Sequence, residues 1–212
     1  MNISIIGTGN IGSGLAHTLA RTSHKITVAG LADGDGPALA KKLAAEKNVK
    51  VQGATVANAV NGADIVVLAV PYSAVSELAK VADFSGKTVV DVTNPIEADF
   101  SGIVIGHTSS AAEEVQKLLP GARIVKAFNT VFAQVYDQGL DFGGRKVPAF
   151  IASDDADAKS AVIGFANEAG FDAVDSGPLK NARYIEPLGY LNIQFGYMLG
   201  RGTQIAPAWL SR

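Results

Sequence analysis

The residues best suited to chemistry in this chain are Gly7-Thr8-Gly9-Asn10-Ile11-Gly12. They follow the apolar run Ile3-Ser4-Ile5-Ile6 and lead into Ile11, Leu15 and Leu19, which recur at helical spacing. A strand, a G-x-G-x-x-G turn and a helix in that order form the first unit of a dinucleotide-binding fold. In such a unit Gly7 allows the tight turn, Gly9 lets a pyrophosphate reach the backbone, and Gly12 lets the helix pack close to the sheet. The helix start then offers free N–H groups and partial positive charge to the phosphates. In isolation the same residues are only a structural glycine turn; a second apolar run at 25–30 favours the dinucleotide.

Ligands of open α/β sheets bind beyond the carboxyl ends of the strands. The second run ends in Gly30-Leu31-Ala32-Asp33-Gly34-Asp35. Asp33 lies where an acidic side chain, about 20 residues past the glycines, grips the ribose hydroxyls of NAD. Equally, Asp33 and Asp35 can simply solvate a turn. The next cations, Lys41 and Lys42, sit further into a helical stretch, so these residues leave NAD and NADP open. Three more strand ends, Val70-Pro71-Tyr72, Asn94-Pro95 and Phe128-Asn129-Thr130, should face the same crevice. Their prolines can fix turns, and Asn94, Asn129 and Thr130 can hydrogen-bond a carboxamide or a substrate edge.

The elements that position these residues are legible as alternating patterns. Strands are expected at 2–7, 25–30, 49–52, 64–70, 87–93, 123–127, 147–153 and 171–176, and helices at 11–22, 37–47, 56–61, 73–82, 111–119, 131–138, 155–169 and 181–199. This alternation implies a doubly wound, mostly parallel α/β sheet of Rossmann type. Residues 1–140 read as the dinucleotide-binding domain. Residues 141–212, from the loop Asp141-Phe-Gly-Gly-Arg-Lys146 onward, read as a small C-terminal lobe completing the substrate crevice. Ser110-Ala-Ala-Glu113 matches a capping box, and Asp154 and Asp155 suit a helix start. Pro187 should break or kink the last helix near Glu186. In that helix Tyr184, Leu188, Leu191, Phe195 and Met198 form an apolar face, read as core packing. Gly189 and Gly196 form a small face open to a second subunit, and a homodimer is expected.

The 212 residues suit one large domain or a nucleotide-binding domain with a small lobe, and the 48% hydrophobic content supplies a core. A net charge of −2 with scattered signs gives no surface for nucleic acid. There is no cysteine, hence no disulfide or thiolate chemistry, and no metal-binding cluster is apparent. The longest apolar run, 65–71, is far shorter than the ~20 residues a membrane helix needs. The expected protein is soluble, cytoplasmic and acts on a small molecule.

The segments GTGNIGSG, AVPYSAV, DVTNP, SSAAEEVQKLLP, VKAFNTV and DSGPLKNARYIEPLGYLNI occur in this order. Together they resemble the deazaflavin (coenzyme F-420)-dependent NADP oxidoreductases and their wider group of dinucleotide-binding reductases, which shares its nucleotide fold with the membrane metalloreductases. The resemblance covers nearly the whole chain. It implies a Rossmann domain with a small C-terminal lobe, NADP or NAD as cofactor, and coenzyme F-420 or a flavin as co-substrate. Residue by residue, Gly7, Thr8, Gly9, Asn10, Ile11 and Gly12 match the pyrophosphate turn, and Val70, Pro71, Asn94 and Pro95 match the segments around the nicotinamide. Phe128, Asn129, Thr130, Leu179, Arg183 and Glu186 fall where the second ring or substrate is expected. Leu31 and Ala32 stand where many members carry Ser or Thr followed by Arg to hold the 2′-phosphate, a departure from the NADP pattern.

Hydride transfer between two rings needs no general base; the protein supplies stacking, orientation and exclusion of water. A small carbonyl or imine substrate would instead need a proton donor, and Tyr72, His107, Lys126 and Glu186 are the available groups. A third alternative is a protein that binds NAD(P) and senses its redox state without turnover.

Overall fold

The computed structural model describes residues 1–46 and 49–209. Strand β1 (Asn2–Ile6) distributes its side chains alternately to two cores. Ile3 and Ile5 enter one, and Ile6 enters the other, where Ser4 Oγ donates to the Ala59 carbonyl at 2.8 Å. Strands β4 (Ile65–Leu68) and β5 (Thr88–Asp91) are buried at every position, as parallel strands covered by helices on both faces must be. With β2 (Lys25–Ala29), β3 (Val51–Gly53) and β6 (Arg123–Lys126) they form a six-stranded parallel sheet ordered β3-β2-β1-β4-β5-β6. The order reverses between β1 and β4, and that switch point is where such sheets open a ligand crevice.

Helices α1 (Asn10–Leu19), α2 (Asp35–Leu43), α6 (Ala133–Gln138) and α7 (Ala156–Glu168) bury their apolar sides against the core that holds Ile3 and Ile5. Helices α3 (Val56–Asn61), α4 (Val75–Val81) and α5 (Ala111–Leu118) cover the opposite face. Strands β7 (Pro148–Ile151) and β8 (Asp172–Asp175) pair in parallel. They meet the main sheet through an antiparallel bridge, in which Lys126 and Ala152 exchange N–H···O bonds of 2.8 and 3.0 Å. Val147, Ala149 and Ile151 belong to the same core as Ile3. The last helix, α8 (Ala182–Ile193), runs into a π-turn at Gln194–Met198.

All eight expected strands and the expected helices form. The helix expected at 37–47 is α2, displaced toward its N-terminus, and its expected end at Lys47 lies outside the described residues. Asp155 caps α7 by accepting from Ala158 N at 2.8 Å, while Asp154 accepts from Leu179 N instead.

Two expectations for α8 are corrected. Of the break or kink expected near Glu186, the break does not occur: the helix continues through Pro187 to Ile193. Proline removes one N–H and crowds one preceding carbonyl, and the burial of Ile185, Glu186, Gly189 and Asn192 on either side holds the helix across that defect. The faces are also reversed. Glu186, Gly189, Asn192 and Gly196 are buried, whereas Tyr184, Leu191 and Met198 are exposed. The small face therefore packs on its own chain. Hydrogen bonds in the interior, described below, select that face over the apolar one.

Candidate active site

The glycine turn is held by contacts that no larger residue could make. Gly7 has φ +125°, a conformation open to glycine, and its N–H bonds the Ala29 carbonyl at 2.8 Å. A Cβ on Gly7 would overlap the Ala69 carbonyl, and one on Gly12 would overlap the Gly7 carbonyl. Gly9 differs: a Cβ there would meet nothing within 4 Å. The space above Gly9 is open while the space around Gly7 and Gly12 is filled. Gly9 is also the N-cap of α1, whose first turn has neither a side-chain cap nor an acidic residue. Its leading N–H groups therefore face outward without an internal partner, as an anion-binding turn requires.

Beyond the ends of β5 and β6 lies a crevice of about 270 Å³. It is lined by Asn10 and Ile11 of the turn, Val92 and Asn94 after β5, residues 128–134 after β6, and Gly189, Asn192, Ile193 and Tyr197 from the last helix. Its centre is a reciprocal amide pair. Asn94 Nδ2 donates to the Asn129 carbonyl at 2.8 Å, and Asn129 Nδ2 donates to Asn94 Oδ1 at 2.9 Å and to the Ile185 carbonyl at 3.1 Å. Gly189 makes the pair possible, because a Cβ there would stand 2.9 Å from Asn129 Nδ2 and 3.0 Å from Asn94 Oδ1. Asn192 Nδ2 donates to the Thr130 carbonyl at 3.1 Å.

Phe128 turns the chain into this arrangement. It has φ +62° and is 1% exposed, its ring packed on Phe165 and Phe171 at centroid distances of 5.9 and 5.1 Å. A left-handed non-glycine residue costs about 1–3 kcal/mol, offset here by that aromatic packing. Three buried oxygens around the crevice, Asn129 Oδ1, Thr130 Oγ1 and Gln134 Oε1, have no protein partner. Such groups are costly unless something satisfies them. Among the described residues, no carboxylate, imidazole, ammonium or guanidinium lines this crevice.

The ionisable residues singled out from the sequence lie elsewhere. Lys126 is fully buried; its Nζ contacts Asp91 Oδ2 and Glu186 Oε1, each at 2.9 Å, and the Thr93 carbonyl. Burial alone would push Lys126 down, but the two carboxylates outweigh it and hold it above its ordinary value. Glu186, buried itself, is raised by burial against the opposing pull of Lys126, and it accepts from Ala111 N and Ala112 N at 2.8 and 3.1 Å. It thus caps α5 from outside. The matched capping box is only half made: Ser110 Oγ accepts from Glu113 N at 3.2 Å, while the Glu113 carboxylate turns to Arg183 at 2.6 and 2.8 Å.

Lys126 and Glu186 are thus bound to each other and to their neighbours, away from the crevice lining. Leu179 is buried in the core beneath α4 and α5, and Arg183 is committed to Glu113, so neither borders the crevice. His107 sits exposed in the loop before α5 with φ +60° and does not line it either. Phe128, Asn129, Thr130, Asn94, Asn10 and Ile11 do converge there, joined by Gln134, Gly189, Asn192 and Tyr197, which the sequence reading did not single out as site residues. Tyr72 opens a short 3-10 turn after Pro71; burial, then Glu114, Asp91 and Glu186, push its phenol up, so it stays protonated at neutral pH.

Comparison with known proteins fits this geometry. Residues 2–95 match the family model described as NADP oxidoreductase, coenzyme F420-dependent. The chain is 33% identical over 202 residues to an F420-dependent NADP reductase of Methanothermobacter marburgensis, covering 89% of each chain. It is 30% identical over 187 residues to the metalloreductase STEAP3 of Rattus norvegicus, covering 88% of this chain and 36% of that protein. A crystal structure of a candidate F420-dependent NADP reductase from Arthrobacter sp. FB24 superposes with a TM-score of 0.80 at 27% identity, over 98% of this chain and 99% of that one.

Proposed function

Because this chain belongs to the coenzyme F420-dependent NADP oxidoreductase family and is a nicotinamide-dependent oxidoreductase, we propose that it passes hydride between a nicotinamide and a deazaflavin or flavin ring. The observation that carries this reading is the crevice beyond β5 and β6, which is rich in amides and apolar side chains and, among the described residues, has no strongly acidic or basic group on its walls. Two stacked rings need what it offers. The bound cofactor supplies the hydride chemistry. Asn10 and the N–H groups of α1 hold the pyrophosphate, the Asn94–Asn129 pair sets the edge of the site, and Ile11, Val92 and Ile193 keep water out. A carbonyl or imine acceptor would call for a proton donor at hydrogen-bond range, and the hydroxyls lining the crevice are those of Thr130 and Tyr197.

In this reading residues 1–140 bind the dinucleotide, and 141–212 act as the second lobe by laying α8 across the crevice. The protein works as a homodimer, with the exposed Tyr184, Leu191 and Met198 of the last helix in the contact. The test is an acceptor panel. Reduced NAD and NADP are mixed with the protein and, separately, coenzyme F420, FMN, FAD, a ketone and a cyclic imine, and loss of nicotinamide absorbance is followed. Turnover with a ring acceptor is expected. Turnover confined to the ketone or imine would sink the proposal, and tight nucleotide binding with no turnover would make the protein a sensor.

A further inference from the structure

We infer that this chain selects NAD(H) over NADP(H), in contrast to the cofactor in its family's description, because the residues at the end of β2 fit a free ribose diol and reject a 2′-phosphate. The inference rests on the dinucleotide reading above. The bond from Gly7 N to the Ala29 carbonyl ties the glycine turn to the end of β2, so Gly30–Asp35 run beside the place where the adenosine ribose of a bound dinucleotide lies.

Two carboxylates occupy that stretch. A Cβ on Gly30 would overlap the Asp35 Cβ and stand 2.7 Å from Asp35 Oδ2. The Asp35 carboxylate is therefore laid directly over the backbone of the β2 end. Among the described residues it accepts a single hydrogen bond, a long one of 3.4 Å from Ala32 N, so its acceptor capacity remains largely open. Asp33 is exposed two residues before it. The sequence placed Asp33 in this role; the structure brings Asp35 closer to the strand.

Among the described residues, no cation is paired with either carboxylate. Leu31 and Ala32 are exposed and uncharged, and β3 ends in Gln52-Gly53, followed by Ala54 and Thr55. Lys41 and Lys42 lie in the last turn of α2, about 9 Å along the helix from Asp35 at 1.5 Å per residue. The N-terminus of α2 would attract an anion, but Asp35 already fills its first turn. A ribose diol donates hydrogen bonds to a carboxylate. A 2′-phosphate brings negative charge and acceptors only, which leaves the carboxylate unpaired and repelled.

The test is calorimetric titration of the full chain with NAD⁺, NADP⁺, NADH and NADPH, a binding readout independent of any acceptor. The dissociation constant for the NAD pair should be lower by roughly tenfold or more, the effect of about one charge-assisted hydrogen bond. Equal or tighter binding of the NADP pair overturns the inference while leaving the oxidoreductase reading standing. Binding of neither overturns both. The double variant Asp35→Ser with Ala32→Arg, its fold checked by its melting temperature without nucleotide, should move the preference toward NADP by about 10- to 100-fold. An unchanged ratio in that variant overturns the assignment to Asp35.

Discussion

At the scale of single residues, the site is built on where a Cβ can and cannot go. Gly12 and Gly7 face carbonyl oxygens of their own chain, whereas Gly9 faces open space. The two kinds of glycine should respond differently to alanine. Gly12→Ala should lower the melting temperature of the free protein, since backbone must move to admit it. Gly9→Ala should leave that temperature within the change expected of about 0.5 kcal/mol, yet abolish most of the stabilisation that added dinucleotide confers by linkage. Thermal melts with and without nucleotide separate the two. If Gly9→Ala keeps the full nucleotide-dependent shift, the pyrophosphate does not lie on that backbone. Gly189→Ala should cost about 1–3 kcal/mol, the usual range for overpacking, because its methyl would press on Asn129 and Asn94. Catalytic efficiency should fall with it, read from kcat/KM beside chemical denaturation.

At the scale of elements, the deciding interaction is the buried cluster that joins β5, β6, α5 and α8. Lys126 neutralises one of two buried carboxylates, and Glu186 shares its negative charge with the first N–H groups of α5. Lys126→Met should therefore destabilise the fold by about 3–5 kcal/mol, since it leaves buried carboxylates without their partner. The pH dependence follows from the raised lysine. A base held above its ordinary value of 10.5 stabilises fully below that pH, and the contribution is lost as pH rises through its higher folded value. Alkaline denaturation of the wild type should thus steepen above 10.5, together with the contribution of the buried Tyr136 phenol, which burial also pushes up, and Lys126→Met should show a shallower fall. A wild-type profile flat through that range would contradict the paired, charged lysine.

Much of this element scale was legible in the sequence. The apolar runs at 64–70 and 87–93 announce central strands because burial on both faces erases alternation, and the glycine turn is local in its geometry. The cap on α5 was not legible. Ser110 and Glu113 carry the local signal, but Glu186 reaches Ala111 across 75 residues of chain, and no short window contains that pairing. The reversed faces of α8 have the same origin. Helical periodicity ranks Leu191 above Asn192, yet Asn192 is drawn inward by the Thr130 carbonyl and Gly189 by the amide pair beneath it.

At the scale of the whole molecule, a parallel sheet in the order β3-β2-β1-β4-β5-β6 gathers six strand ends on one edge, and the last helix closes over the crevice at the ends of β1, β5 and β6. Among the described residues, no helix is long and apolar enough to cross a membrane. The same closure leaves Tyr184, Leu191, Met198 and Leu199 exposed. Light scattering at micromolar concentration should report a dimer, and Leu191→Glu should shift it toward monomer; a monomeric wild type would remove the last helix from any subunit contact. The central claim concerns the crevice itself, and tracing the hydride tests it most directly. Nicotinamide dinucleotide stereospecifically deuterated at C4, in each configuration in turn, is incubated with the protein and coenzyme F420 or a flavin, and the products are examined by mass spectrometry and NMR. The account predicts that one of the two configurations transfers deuterium to the acceptor, retained at the ring carbon of the deazaflavin, and that oxidised dinucleotide forms in equal amount. Dinucleotide left reduced beside every ring acceptor, with deuterium passing only to the carbon of an added ketone or imine, would contradict it.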